Sequence, residues 1–394
     1  MSGTPRKLRL GVAGLGRAFS IMAPTLAGDA RVALVAAADP RPEARARFAA
    51  DFGAKTYETV EQLCADPAVE AVYVATPHQH HAAHAKLAAD AGKHILVEKP
   101  IALTLQDAAA MVTAARDAEV HLIVGHSHSF DAPVLRTRAL IDTGDYGAVR
   151  MITAMNFTDF LYRPRRPEEL DTAQGGGALF NQAPHQVDIV RLLGGGRVKS
   201  VRALTGAWDR ARPTEAAYAA LLTFEDGAFA SLVYNGYGHF DSDEFQGWIG
   251  EMGQTKKPGA RVSVELGGGA EETAFKNARN YGGAAYRPPS REGLRHQHFG
   301  PVIVSCEGAD LRPTPDGVMI HQNGTAKLDA LAPPSVPRAE VIDELYAAVV
   351  EGRPPLHDGA WAMATLEVCL AMLQSAREGG EVMLRHQVGL PKAT

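Results

Sequence analysis

Cysteine is scarce: Cys64, Cys306 and Cys369 are the only three in 394 residues, odd in number and never in a Cys-x-x-Cys spacing. That scarcity excludes a disulfide framework and a thiolate zinc site, and it places the chain in a reducing compartment, the cytoplasm. Positive charge is also short, with 40 Lys plus Arg against 45 Asp plus Glu for a net −5. No global positive field exists to hold nucleic acid or an anionic membrane, so neither is expected as a partner, although a local basic cluster could hold a small anion. Also missing is any run of about 18 consecutive apolar residues, the length a spanning helix needs. The short polar stretch of residues 1–7 leads straight into a strand-like segment, so neither export nor membrane spanning is expected. What remains is an ordinary globular composition, 46% hydrophobic and 22% charged. At this length two domains are expected, with a single all-in-one barrel as the alternative.

From residue 8 to about 125, short apolar runs (8–13, 32–38, 71–75, 94–97 and 122–125) alternate with alanine-rich stretches of helical period (42–52, 81–91 and 105–118). Such alternation predicts a parallel sheet covered by helices on both faces, with ligands beyond the carboxyl ends of the strands. After Gly125, strand-like runs at 150–157, 198–205, 217–224 and 229–234, broken by turns such as Glu225-Asp226-Gly227, predict an antiparallel meander. The reading is therefore an α/β protein with a dinucleotide-binding domain over 1–125 and a second α/β domain over 126–394. The Gly- and Pro-rich stretch 236–331 is too long for a plain connection and is expected to elaborate the sheet or form a lid. Amphipathic helices are expected at 337–350 and 359–377.

The first strand runs into Gly14-Leu15-Gly16-Arg17-Ala18-Phe19. Gly14 and Gly16 would let the backbone turn tightly against a pyrophosphate, whose charge the amides of Arg17 and Ala18 at the helix start would hold. The third glycine of the dinucleotide fingerprint is replaced by Phe19. Asp39 closes the second strand 25 residues after Gly14, near the spacing of a carboxylate that binds the adenosine ribose. It favours NAD, while Arg41 is near enough to pair with a 2′-phosphate and keeps NADP open. Thr76-Pro77 and a histidine cluster (His78, His80, His81, His84) follow the next strand. His80 and His84 would share a helix face, but no carboxylate is interleaved and no second ligand set follows, so no metal is expected. Glu98 and Lys99 end the strand 94–97, where a partly desolvated lysine could move a proton or orient a hydroxyl.

These pieces, together with Gly175-Gly176-Gly177, His185 and Asp188 and a C-terminal Ser375-Ala376-Arg377-Glu378-Gly379-Gly380, occur in an order that resembles the glucose-fructose oxidoreductase and inositol dehydrogenase superfamily, Gfo/Idh/MocA. The resemblance implies an N-terminal Rossmann domain and a C-terminal α/β domain whose open, largely antiparallel sheet often forms an oligomer interface, here of a homodimer or homotetramer. It also implies that nicotinamide and substrate meet between the domains. Thr76, Pro77, His81 and Glu98 would then belong to the cofactor site. Lys99 would stand by the reacting hydroxyl and His185 would act as acid/base. The family's aspartate four residues before that histidine is Asn181 here. Asn181 can orient a hydroxyl or an imidazole but cannot exchange a proton, so the proton relay would rest on His185 and Lys99.

A narrower resemblance rests on residues 157–170 and 298–306, which are similar to the branch that includes phthalate 4,5-dihydrodiol dehydrogenases. Within the first segment Arg163, Arg165 and Arg166 offer planar forks for a carboxylate, or else a solvated loop pairing with its own glutamates. His126 and His128 are expected to line the same cleft. The expected activity is NAD(P)-dependent oxidation of a secondary alcohol in a small cyclic diol, such as a carboxylated aromatic cis-dihydrodiol. The alternatives are a sugar or inositol dehydrogenase of the same family and a non-catalytic NAD-binding sensor.

Overall fold

The computed structural model describes residues 6–259, 268–289 and 293–390. The chain forms two compact units: residues 1–126, 270–291 and 336–363 make the first, and residues 127–269, 292–335 and 364–394 the second. The boundary near residue 126 is thus accompanied by two later returns of the chain to the first unit.

In the first unit six strands, β1 (Leu8–Ala13), β2 (Val32–Ala38), β3 (Lys55–Tyr57), β4 (Ala71–Val74), β5 (His94–Val97) and β6 (Leu122–Val124), form a sheet in the order β3-β2-β1-β4-β5-β6. All pair in parallel. Apart from Arg9, His94 and the edge strand β3 (Lys55-Thr56-Tyr57), their side chains are apolar, and those of β4 and β6 are fully buried because helices cover both faces. The order reverses between β1 and β4, and at such a switch point the carboxyl ends of the strands diverge and leave room for a ligand. Local signals set the covering helices. Pro42 opens Pro42–Phe52 and Gly53, at φ +61°, ends it, while Thr104 caps Leu105–Asp117 by accepting from Asp107 N. The returning segments bring in helix Ala339–Glu351, whose Tyr346 hydroxyl donates to Arg6 O at 2.9 Å.

The second unit holds a nine-stranded sheet built from β7 (Val149–Phe157), β8 (Val198–Gly206), β9 (Ala217–Phe224), β10 (Phe229–Asn235), β11 (Val302–Cys306), β12 (Asp310–Thr314), β13 (Gly317–Gln322), β14 (Thr325–Ala330) and β15 (Val382–Met383). Its order is β14-β13-β12-β11-β7-β10-β9-β8-β15. The expected meander holds for β8, β9 and β10, but β7 lies parallel to β10 rather than antiparallel to a sequence neighbour. The reason lies in the connection: the chain leaves β7, crosses over through helix Ala183–Leu193 to β8 at the far side, and the antiparallel β8-β9-β10 meander then lays β10 parallel beside β7. Residues 302–330 extend the sheet by four strands on the β7 side. Every residue of helix Ala183–Leu193 is buried, and its Gln186 accepts from the Tyr218 hydroxyl at 3.0 Å on β9. Met151, Leu204, Leu221, Phe229 and Ile303 are exposed, with Leu204 at 64% and Leu221 at 56%. No described helix is long and apolar enough to cross a membrane.

Candidate active site

At the end of β1, Gly14 takes φ +91°, and a Cβ there would stand 2.9 Å from the carbonyl oxygen of Ala75 at the end of β4. Only glycine fits both the left-handed backbone and that approach. Gly16 precedes helix Arg17–Gly28 without any side-chain cap, and a Cβ built on it meets nothing within 4 Å. The turn thus presents helix-start amides beside open space, which is what a pyrophosphate requires. Arg17 is exposed and Ala18 half-buried. Phe19, in place of the third glycine, is fully buried and packs edge-on against Tyr281 with centroids 4.9 Å apart. An aromatic cluster that also includes Phe48 therefore supplies the helix packing that close approach at a glycine would otherwise supply.

Asp39 is buried, and its carboxylate accepts from Leu15 N at 2.8 Å and from Arg41 N at 2.9 Å. The Arg41 guanidinium lies across it, with Nε at 3.0 Å from Oδ1, while Nη2 donates to Leu15 O at 2.8 Å. Tyr281 O stands 3.4 Å from Arg41 Nη1, and Tyr281 N donates to Ser20 Oγ at 3.0 Å. Nothing in the sequence signals this tyrosine, which lies 240 residues from Arg41.

The ends of β4 and β5 are tied by His81, whose Nδ1 is 2.9 Å from Pro100 O and Nε2 3.0 Å from Thr76 O. Burial pushes this imidazole down to about 4, so it is neutral at physiological pH. Pro77 is exposed, and Thr76 Oγ1 lies 3.0 Å from His84 Nδ1. Glu98 accepts from the Tyr73 hydroxyl at 2.5 Å, and burial raises its carboxyl. Its carboxylate is therefore engaged inside the sheet. Lys99 follows it as a half-buried side chain.

In the second unit, Gly177 adopts φ +77°, and a Cβ there would meet Glu215 Oε1 at 2.1 Å. The loop can close only with glycine, and closing it presents two carbonyls to Asn181, whose Nδ2 donates to Gly177 O at 2.8 Å and Gly175 O at 3.2 Å. His185 occupies the first turn of helix Ala183–Leu193 and is buried. Its ring lies 4.8 Å from that of His128 and 5.0 Å from that of Phe299. His128 Nδ1 bonds Asp131 Oδ2 at 2.7 Å, and Nε2 stands 3.5 Å from Glu251 Oε1. Burial opposes the charged imidazole, but the two carboxylates outweigh it and raise His128 above its ordinary value. One turn along the helix from His185, Asp188 accepts from Ser129 Oγ at 2.5 Å and Thr365 Oγ1 at 2.9 Å, anchoring the segment that carries His128.

The three arginines separate in role. Arg163 is half-buried and Nε donates to Asp159 Oδ1 at 2.8 Å; although burial opposes its charge, Glu251 and Asp159 hold the guanidinium above its ordinary pKa. Arg165 is buried over the Phe160 ring at 3.8 Å and donates to Phe160 O. Burial lowers it to about 10, which leaves it cationic at neutral pH. Arg166 opens the turn Pro167–Leu170, its backbone N donating to Glu169 Oε2 at 2.6 Å. Glu251 thus acts electrostatically on both Arg163 and His128, and Tyr234 packs against Phe299 at 6.2 Å and Phe160 at 6.3 Å.

Residues 8–126 match the model of an oxidoreductase family with an NAD-binding Rossmann fold, and residues 134–254 match the C-terminal domain model of the same Gfo/Idh/MocA family. A 1-carboxy-3-chloro-3,4-dihydroxycyclohexa-1,5-diene dehydrogenase from Comamonas testosteroni is 49% identical over 382 residues, 94% of this chain and 95% of its own. The chain belongs to the Gfo/Idh/MocA oxidoreductase family. The crystal structure of a Bordetella bronchiseptica RB50 protein designated a dehydrogenase is similar throughout, at 43% identity and a TM-score of 0.90, covering 96% of this chain and 100% of that one. An inositol 2-dehydrogenase from Rhizobium meliloti (strain 1021) is 32% identical over 196 residues, half of this chain and 58% of its own.

As a Gfo/Idh/MocA member the protein is an NAD(P)-dependent dehydrogenase, and its first unit is the NAD-binding Rossmann domain. The uncapped helix start at Gly16 and the left-handed Gly14 fit that cofactor. Of the residues expected from sequence, the structure brings His185, His128, Arg163 and Arg165 into one cluster of the second unit. It turns the Asn181 amide onto its own loop and commits Glu98 to Tyr73. Asp131 and Glu251, the partners of His128, were not expected. The spacing of Asp131 three residues after His128 was a visible signal, whereas Glu251, 123 residues on, was not.

Proposed function

We propose that this Gfo/Idh/MocA enzyme oxidises a secondary alcohol of a small cyclic cis-diol that carries ring carboxylate, such as phthalate 4,5-dihydrodiol. The observation that carries the reading is a pair of guanidinium groups, the buried Arg165 and the half-buried Arg163, in the same cluster as His185. A guanidinium withdrawn from water attracts a carboxylate more strongly than an exposed one and offers it two parallel N–H donors. The Comamonas testosteroni relative, whose substrate by name bears a carboxyl group and a ring diol, supports the same choice.

In this reading Gly14, Gly16, Arg17 and Ala18 hold the pyrophosphate, Asp39 the adenosine ribose, and Thr76, Pro77 and His81 shape the loop ends beside them. NAD, when bound, accepts the hydride of the carbinol carbon. Lys99 or His185 takes the one hydroxyl proton, Arg163, Arg165 and His128 line the substrate, and Arg166 and Asn181 support the loops from which these residues project. The dienone formed would enolise to a catechol, and the aromatic product draws the oxidation forward. We also place the protein in the cytoplasm as a homodimer joined through the open sheet face, where Leu204, Leu221, Phe229, Met151 and Ile303 are exposed and a contiguous apolar patch marks an interface.

The test is absorbance of NADH formed from phthalate 4,5-dihydrodiol, myo-inositol and D-xylose, with NAD and NADP in turn. Turnover of the dihydrodiol alone is expected. Turnover confined to the polyol or sugar would replace the substrate reading with the polyol one, and NADH binding without any turnover would leave a sensor. Replacing Leu204 and Leu221 with Glu should convert the dimer to monomer in sedimentation.

A further inference from the structure

The amide of Asn181 and the imidazole of His128 solve one electrostatic problem in two places. A carboxylate at position 181 would face the carbonyl oxygens of Gly175 and Gly177, which accept from the amide now there. Acceptor against acceptor is repulsive and leaves both desolvated, so this loop selects an NH2 group. Negative charge near His185 must come from elsewhere. The structure supplies it around His128, whose ring touches that of His185 edge-on and whose two nitrogens face the carboxylates of Asp131 and Glu251.

We propose that His128, held between Asp131 and Glu251, is the second proton-accepting imidazole of the reaction, and that these two carboxylates take over the electrostatic part of the aspartate that position 181 lacks. The proposal rests on the dehydrogenase reading above. As the C–H bond of the carbinol breaks, its electron pair and hydrogen leave together as hydride to the NAD cofactor. The O–H bond breaks, the C=O bond forms, and the single proton released is taken up by the His185–His128 pair. One positive charge on that pair is matched by carboxylate oxygens at 2.7 and 3.5 Å, close enough for the attraction to exceed thermal energy severalfold. The other titratable groups near His128 are His185 across the ring contact, His298, which feels its charge, and Arg163, which shares Glu251. His126 also places a ring nitrogen within 4.8 Å of a His128 ring nitrogen and an Asp131 carboxylate oxygen. Arg163 and His298 limit how far Glu251 can raise His128, so Asp131 exerts the larger effect. Asp131 and Glu251 are positioning residues, acting through the imidazole.

Two measurements on the full-length enzyme test this. The first is the pH profile of kcat/KM with saturating NAD and phthalate 4,5-dihydrodiol between about pH 5 and 9. A proton acceptor works when neutral, so lowering its pKa extends activity to lower pH. Glu251→Gln and Asp131→Asn are expected to move the acidic limb down by about half a unit and about one unit. His128→Gln should lower kcat by about 10- to 100-fold with NADH affinity, read by fluorescence, unchanged within about twofold. The second measurement is the titration of ring-labelled histidine by NMR, with His128 assigned through His128→Gln. His128 should titrate above its ordinary value and fall when either carboxylate is replaced. An acidic limb unmoved by Glu251→Gln, or a His128 signal that ignores both substitutions, would overturn the proposal. If Asp131→Asn fails to fold, Glu251→Gln decides alone. Should the wild type not oxidise the dihydrodiol, the substrate reading fails by itself, and the imidazole titration still decides whether the two carboxylates raise His128.

Discussion

Two histidines at opposite stations in the chain are both fully buried, and they are held in opposite protonation tendencies. The two ring nitrogens of His81 lie against carbonyl oxygens, those of Thr76 and Pro100, so burial dominates and the ring stays neutral. His128 faces carboxylates, which overcome the same burial. The difference extends to the units that contain them. The Rossmann unit prepares its ligand site with backbone: a left-handed glycine, an uncapped helix start and a neutral ring tying two strand ends. The second unit prepares its cluster with paired charge, and burial in a low dielectric makes each unit of charge count for more.

The sharpest way to break this comparison is at Gly14. Gly14→Val puts a branched side chain into a left-handed residue already 2.9 Å from Ala75 O at its would-be Cβ. NADH affinity should fall by more than about 100-fold, roughly 2.7 kcal/mol or more, in a fluorescence titration. If binding survives, backbone shape is not what holds the cofactor.

Stability against pH tests the two rings directly. The folded pKa of His81 lies below its unfolded value of 6.5, so the unfolded chain binds the extra proton between pH 6.5 and about 4. Stability contributed by this group is present above that window and lost as pH falls through it, by about 3 kcal/mol in all. His81→Gln should flatten that part of a urea-midpoint profile. For His128 the sign reverses: its stabilisation is complete below the ordinary imidazole value and is lost as pH rises through the elevated one. Equal slopes for His81→Gln and His128→Gln would erase the contrast.

A smaller effect separates charge from shape in the second unit. Replacing Arg163 and Arg165 together with Ala should raise KM for the carboxylated dihydrodiol by about 30-fold, the range of a lost charge-assisted pair, and leave KM for a neutral cis-dihydrodiol within about twofold. An equal rise for both would mean that the arginines shape the cluster without binding carboxylate. The least effect is expected at the ribose end: Asp39→Ser removes the carboxylate that neutralises Arg41 and should shift the NADP-to-NAD ratio of kcat/KM upward by about tenfold.

Much of the Rossmann unit was legible because its signals are local. Gly14, Gly16 and Asp39 lie on consecutive elements of one βαβ unit, and the capping and apolar periods of the helices repeat over a few residues. The second unit was harder to read for the same reason inverted. The parallel pairing of β7 with β10 joins residues about 80 positions apart, and three neighbouring arginines diverge because Phe160 takes one and Asp159 another. Asn181 could be seen to depart from the family pattern, but the two carbonyls that explain it appear only once the Gly175–Gly177 loop has folded.

The sequence alone determined the strand-helix alternation of the first unit, the glycine turn, the acidic strand end and the family, because each is written in residue types at short, regular spacing. Tertiary structure decided which buried groups carry charge. Protonation depends on what lies within a few ångströms, and neighbours such as Glu251 for His128, or Tyr281 for Arg41, arrive from positions more than 100 residues away.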